Sequence, residues 1–373
     1  MKMALLLIIS FVNSIAYGIL WPFITINIYM LGGSISSIIF VQTIPFIGYI
    51  LSRLWGVISD YYGKRKAFIA SGYLLSVIPL FIAGWTKELD VLILLIFLAN
   101  LLNSISFPSF LAALGEEGGS SAYGYSQLTG NTGWAIGAIM VGTLYATYGQ
   151  PGVYFLAATI LLLSILIFII LYKEDNIPNK SPSSLGRIKK SFSLEFKAKP
   201  GFKNFLLAIF LAWTGIYWNS ELLKVKLFTL LGGSVGKYSK VFGFGVGLLA
   251  ILSSYLATKI VRKYGVQNPL RLSVFSYAAL SILFSIINDP LLYTILYVMP
   301  IWPIFWTCQT AAAYNFSERG FEAENMGAYV VATSLAVLPA ILSGLIAEFI
   351  NIDLSIAIST IFFLISLITL IKI

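Results

Sequence analysis

An all-α integral membrane protein, with twelve transmembrane helices in two six-helix pseudo-repeated bundles, is the fold class that three observations predict. Of the 373 residues, 58% are hydrophobic and only 10% charged, whereas a soluble domain carries charge at about a quarter of its positions. Apolar runs of roughly 20 residues recur along the whole chain, each long enough at about 1.5 Å per residue to cross a hydrocarbon core of about 30 Å. Short motifs of the first half return in the same order in the second.

The runs fall at 3–30, 35–58, 67–85, 91–114, 125–148, 152–172, 204–230, 238–261, 269–287, 291–315, 328–349 and 354–372. Helices, not the shorter strands of a barrel, fit them. The opening MKMALLLIISFVNSIA places Ser14 and Ala16 at the spacing of a signal-peptide cleavage site, but the apolar run continues to Met30 and reads as the first span. The stretch 174–202 is polar, basic and rich in Pro and Ser, so it cannot span lipid and reads as a linker. It divides a bundle at 1–173 from one at 203–373.

The net charge of +9 would suit a nucleic-acid partner if it were clustered on one patch, but the basic residues gather in alternate loops. Lys64, Arg65 and Lys66 follow the second run, and Lys173, Lys180, Arg187, Lys189, Lys190, Lys197, Lys199 and Lys203 fill the segment after the sixth. Lys259, Arg262, Lys263, Arg271 and Arg319 fall in other even-numbered junctions, and the opposite face has little beyond Lys87, Lys237 and Lys240. By the positive-inside rule the basic loops and both termini are cytoplasmic, as expected of a multi-pass protein of the plasma membrane. No nucleic-acid partner follows. Cys308 has no partner for a disulfide and the chain contains no histidine, so imidazole catalysis and His-ligated metals are excluded and neither an enzyme nor a cofactor is expected.

The duplication is written in paired motifs. LGGS at 31–34 recurs at 231–234, Tyr17 recurs as Tyr217, SDYYG ending at Gly63 corresponds to VRKYG ending at Gly265, and AYG at Gly124 corresponds to NMG at Gly327. Their common order predicts two parallel repeats about an axis along the membrane normal.

Between the second and third runs stands GVISDYYGKRK. Its Gly56, Asp60, Gly63, Lys64 and Arg65 resemble the loop signature of the major facilitator superfamily, G-x-L-a-D-r-x-G-r-k, with Ile58 in place of the usual leucine and Tyr61 in place of the usual basic residue. The resemblance implies that Asp60 meets the N-terminus of the eleventh helix, expected near Met326 to Ala328, when the cytoplasmic side is closed. Physically, a carboxylate there accepts bonds from exposed N–H groups and opposes the positive end of the helix dipole. Gly56 permits close approach and Gly63 a turn with positive φ. The second copy has Arg262 in the aspartate's place, which makes the latch one-sided.

The resemblance further implies a central cavity lined by helices one, four, seven and ten. At about 100° per residue, Asn13, Tyr17 and Trp21 share one face of helix one, and Thr214, Tyr217, Glu221 and Lys224 share one face of helix seven. The repeat turns both faces toward one axis, with Trp21 opposite Glu221 and Tyr17 opposite Tyr217. Helix four adds Asn100 and Asn103, and helix ten adds Trp302, Trp306 and Gln309. Amides beside aromatic rings suit a polar organic solute, and such amides can also serve as packing between helices. Helix two carries Gln42, Tyr49 and Arg53 on one side, with Arg53 either an inner gate or a substrate contact. In helix five, GNTGWAIGAIMVG resembles the family's antiporter signature except that Ala138 replaces proline, and close helix packing explains the glycines as well.

Glu221 is the one acid near the middle of any predicted helix, with Lys224 within reach three residues on. It is a candidate for proton coupling, Lys224 is a candidate for direct solute contact, and the two are alternatively a permanent pair that holds the helix. The reading is a monomeric secondary transporter, surrounded by membrane lipids, that moves a small organic solute with protons by alternating access. A lipophilic drug or metabolite exporter of the same fold, or a transporter-fold receptor or assembly protein, is the alternative. A reporter fused within 176–199, or after Lys372, is expected on the cytoplasmic side of the membrane in an accessibility assay, and either one found outside would reverse the orientation.

Overall fold

In lipid every backbone N–H and C=O must find its partner within the protein, which leaves the apolar runs one choice, the helix. The computed structural model describes residues 2–30, 46–174, 196–232, 237 and 241–373. Gln42, the 35–45 part of the second run, most of both LGGS copies, Lys180, Arg187, Lys189, Lys190 and Lys240 lie outside the described residues.

The first span is Lys2–Met30. The second comprises residues 46–62, with a 3-10 turn at Gly48–Leu51 ahead of the helix Ser52–Tyr62. The third is Arg65–Ala83, and the fourth starts at Leu89–Asn103 and continues after a break. Phe107–Leu171 is one helical stretch interrupted at Gly119 and Gly149, whose φ values of 59° and 64° are open to glycine and strained for other residues. Those two breaks separate the fourth, fifth and sixth spans. The seventh is Phe202–Leu230, the eighth is Gly247–Tyr264 preceded by a π turn at Val241–Val246, and the ninth is Gln267–Ile286. The twelfth is Ile352–Ile371.

The tenth and eleventh spans also depart from the expected runs. The tenth is divided into Pro290–Tyr297 and Trp302–Phe316, with Pro303 in the first turn of the second piece. The eleventh begins at Glu322, ahead of the predicted 328, and runs through Glu322–Leu335, Val337–Ala340 and Leu342–Phe349. Hydropathy placed its start too late because its first turn carries Glu322 and Glu324, acids that suit the positive end of a helix dipole and lower the apolarity of the window.

Small residues set the packing. A Cβ on Gly133 would stand 2.2 Å from the Phe11 carbonyl oxygen and one on Gly137 2.1 Å from that of Ile15, so the glycines of span five exist for contact with span one. Gly142, of the same motif, has open space around it and no such duty.

The buried side chains are divided unevenly. Toward the face of the basic loops one continuous core takes residues from both halves, among them Leu6, Leu114 and Tyr123 with Phe205, Ala312 and Met326. Toward the opposite face, among the described residues, Phe23, Leu92 and Tyr154 belong to a cluster within the first half, and Trp218, Leu222 and Ile356 to a separate one within the second. Among the described residues the halves share one core at the basic face and have separate clusters at the other.

Within the second half, buried Lys226 donates to the Asp353 carboxylate at 2.6 Å and to the Phe284 carbonyl at 2.8 Å, which ties span seven to spans nine and twelve. The side chain of Asp353 is 34% exposed and that of Lys226 only 6%. Asp353→Asn strands a buried ammonium and should cost on the order of 2–3 kcal/mol. Lys226→Met leaves a carboxylate that water still reaches and should cost less. Thermal unfolding in detergent should rank the two variants in that order, and the reverse order would refute this assignment of the pair.

Candidate gate and central site

The turn after span two is built for a contact with span eleven. Gly63, at φ 61°, closes the helix by donating to Ser59 O, and the carboxylate of Asp60 one turn earlier faces the opening of the eleventh helix. Its Oδ2 accepts the Glu324 N–H at 2.7 Å and its Oδ1 the Ala323 N–H at 3.3 Å. The predicted meeting is therefore present, at residues slightly earlier than 326–328. It requires Gly56, where a Cβ would stand 2.1 Å from the Ala323 carbonyl oxygen, and Gly327, where one would stand 2.5 Å from that of Ser52.

Arg65 completes the cluster. Its guanidinium, with the side chain 3% exposed, pairs with Asp60 at 2.5 Å and Glu116 at 2.8 Å and donates to the Ser59 hydroxyl at 3.2 Å. Glu322 lies 4.0 Å away. Among the described residues Lys64 does not join them: beyond the left-handed Gly63 its side chain is exposed, and its backbone N–H donates to Ser59 O.

Two turns before Asp60, Arg53 Nη2 donates to Glu324 Oε1 at 3.2 Å across the two halves, with both side chains buried. A buried ion pair gains little net stability because desolvation offsets most of its attraction. It suits a contact that is made and broken. The sequence reading passed over Glu324 because it placed that residue outside the eleventh span.

The second seam between the halves lies at spans five and eight. Gly124 abuts Thr258 there, and Asn131 donates to the Ser254 hydroxyl at 2.7 Å. Gly124 and Gly327, matched by the sequence repeat, thus both sit at inter-half contacts. Arg262, in the aspartate's place, lies 5.3 Å from the Tyr125 ring centroid. Among the described residues no carboxylate contact matches Asp60 at that position.

At mid-span, Asn103 donates through Nδ2 to the Tyr17 hydroxyl at 2.8 Å and the Tyr49 hydroxyl at 3.0 Å, while its Oδ1 accepts from Ser106. Tyr17, Trp21, Asn100 and Asn103 line a cavity of about 20 Å³ between spans one, three and four, enough for about one water molecule. Asn100 donates to Ile96 O of its own helix. From this cavity a run of rings crosses to the second half. Phe46 stacks on Trp21 at 5.9 Å and meets Tyr217 at 5.2 Å, Tyr217 meets Trp213 at 4.9 Å, and Trp213 meets Trp306 at 5.6 Å and Trp302 at 5.2 Å.

Two predicted contacts turn inward. Gln309 is fully buried and accepts the Trp213 indole N–H at 2.8 Å, so its amide fixes a ring. Asn13 is buried in span one with Oδ1 unpartnered and is not among the residues lining the cavity. A shared helical face specifies a direction, and a neighbouring indole or ring then decides what the amide meets. The Trp21 ring stacks on Phe46. Phe46 and Trp213 escaped the sequence reading, although Trp213 stands one turn from Tyr217. Glu221 Oε1 accepts from Lys224 Nζ at 2.5 Å, with side chains 13% and 31% exposed.

The family model of the Major Facilitator Superfamily matches residues 6–341. The chain belongs to that superfamily. It is a multi-pass membrane protein and a secondary transporter of small-molecule solutes, not an enzyme. Solved structures of other members share the fold. The human organic anion transporter MFSD10 superposes with a TM-score of 0.79 at 12% identity, over 99% of this chain and 98% of its own. The E. coli fucose:proton symporter FucP gives 0.70 at 14%, over 99% and 98%, and the nucleoside transporter NupG 0.70 at 14%, over 100% and 99%. By sequence, no curated protein matches.

Within the superfamily fold, the Asp60 contact can be tested as a latch. Asp60→Asn keeps the shape and removes the charge that faces the helix N-terminus, an effect of about 0.3–2 kcal/mol. Thiol labelling of a cysteine placed between spans two and eleven, in a Cys308→Ser background, should quicken in Asp60→Asn as the basic face opens more often. Equal labelling in both proteins would leave the latch without support.

Proposed function

We propose that the protein is a proton-coupled transporter that moves a small polar organic solute across the plasma membrane by alternating access, as a monomer embedded in lipid. The observation that carries this reading is the division of the core among the described residues, continuous between the halves at the basic face and in separate clusters at the other. That face is taken as cytoplasmic, with both termini on the same side, and the bundles 1–173 and 203–373 rock about the linker 174–202. Opening it requires the Asp60 latch and the Arg53–Glu324 gate to part together. Only a conformation of the opposite kind would then expose the centre to the cytoplasm.

The solute is held between Tyr17, Trp21, Asn100 and Asn103 from one half and Tyr217, Trp306 and Lys224 from the other. Rings offer flat apolar faces and amides and phenols offer hydrogen bonds, a combination that suits a polar organic molecule. The neighbouring structures carry organic anions, fucose and nucleosides, which fits that class. Gln309 acts by holding the Trp213 ring in place.

Glu221 is assigned the coupling proton. It is one turn from Tyr217, partly accessible, and paired with a cation of the same helix, so protonation frees Lys224 for the solute and loss of the proton restores the pair. In proteoliposomes Glu221→Gln should abolish uptake driven by a proton gradient while solute exchange at equal pH persists. Undiminished accumulation would remove Glu221 from coupling, and loss of both activities would indicate a binding or structural pair instead.

A further inference from the structure

The end of the linker takes part in closing the basic face. Residues 196–199 run beside the end of span ten: the Lys199 N–H donates to Phe316 O at 2.8 Å, Ala198 forms an antiparallel bridge with Ser317, and the Lys199 ammonium donates to Asn315 O at 2.7 Å. From the first turn of span eleven, Asn325 Nδ2 donates to Lys197 O at 2.8 Å. These four contacts all tie the segment to the second half.

Phe196 reaches the other way. Its ring centroid lies 4.3 Å from the guanidinium carbon of Arg53, in the first half, and its ring meets that of Phe202 edge-on at 5.3 Å. Arg53 is the cation whose charge Glu324 compensates. A planar, weakly hydrated guanidinium stacks well on an aromatic face, and the ring also keeps water from the pair beneath it, which strengthens the attraction. When spans two and eleven part, the strap stays with the second half through its own hydrogen bonds. Phe196 and Glu324 are then withdrawn from Arg53 together.

We propose that the 196–199 segment is a strap that holds the basic face closed, with Phe196 sealing the Arg53–Glu324 pair. The inference rests on reading that pair as a gate, and it makes the linker a working part of the transport cycle in addition to a tether. Phe196 is a positioning residue here: it acts on the solute's path only through Arg53.

The test uses the full chain in lipid nanodiscs with Ser52→Cys as reporter in a Cys308→Ser background. Ser52 is fully buried where span two meets Gly327 of span eleven, so a thiol there labels only when the basic face opens. Phe196→Ala, and Phe196→Leu, which keeps apolar bulk without a ring, should speed labelling roughly twofold to thirtyfold, the range set by one cation–π contact. Phe196→Trp should stay at the parent rate. Native Cys308, buried in the second half, should label no faster in Phe196→Ala than in the unmodified chain, and a parallel rise there would mean general loosening and would overturn the strap. Glu324→Gln separates the two readings. Faster labelling in Glu324→Gln with no change in Phe196→Ala and Phe196→Leu overturns the strap alone, whereas no change in Glu324→Gln overturns the gate and the strap with it.

Discussion

One carboxylate at the mouth of one helix organises the closed face. Asp60 can reach the N–H groups of Ala323 and Glu324 only because Gly56 and Gly327 let spans two and eleven approach to backbone distance. The same approach brings Glu324 to Arg53, and the guanidinium of Arg65 compensates the acids collected around it, Asp60, Glu116 and Glu322. Removing the close approach would leave Arg53 and Glu324 in a poorly solvated place without each other and Asp60 without its helix terminus, while the pairs of Arg65 with Asp60 and Glu116, all within the first half, would persist.

Pseudo-symmetry supplies a second seam that lacks this chemistry. Spans five and eight meet through Gly124 and Thr258, with a neutral amide-to-hydroxyl bond from Asn131 to Ser254. Arg262 there meets the Tyr125 ring. Duplication gave both seams a glycine, and divergence gave one of them the charges. A transporter with one charged and one neutral seam has a place for its conformational balance to be set and a place about which the halves can pivot.

How much of this was readable depends on how local each signal is. Gly56, Asp60 and Gly63 form a linear motif whose charges have no other reason to stand in an apolar chain, and the structure places them as their spacing implies. Lys64 belonged to the same string and does not join the contact, because a turn's φ decides which side chains face inward. Glu324 was lost to a hydropathy window that treats an acidic first turn as loop. Gln309 lay on the expected face of its helix, yet its amide is committed to Trp213, a partner 96 residues away that no periodicity within span ten can reveal. Lys226 was passed over beside Lys224 for a similar reason. Lys224 meets Glu221 within one turn of its own helix, as its spacing implies, whereas only tertiary packing brings Lys226 to Asp353.

The central claim is that the basic ends of spans two and eleven close and part as the halves rock. Spin labels on cysteines at Tyr62 and Glu318, both exposed on that face, in a Cys308→Ser background would measure this directly by pulsed electron resonance in nanodiscs. Alternating closure predicts two distance populations, a short one matching this structure and a longer one, in a ratio that changes between acidic and neutral pH. A single short distance under both conditions would contradict it.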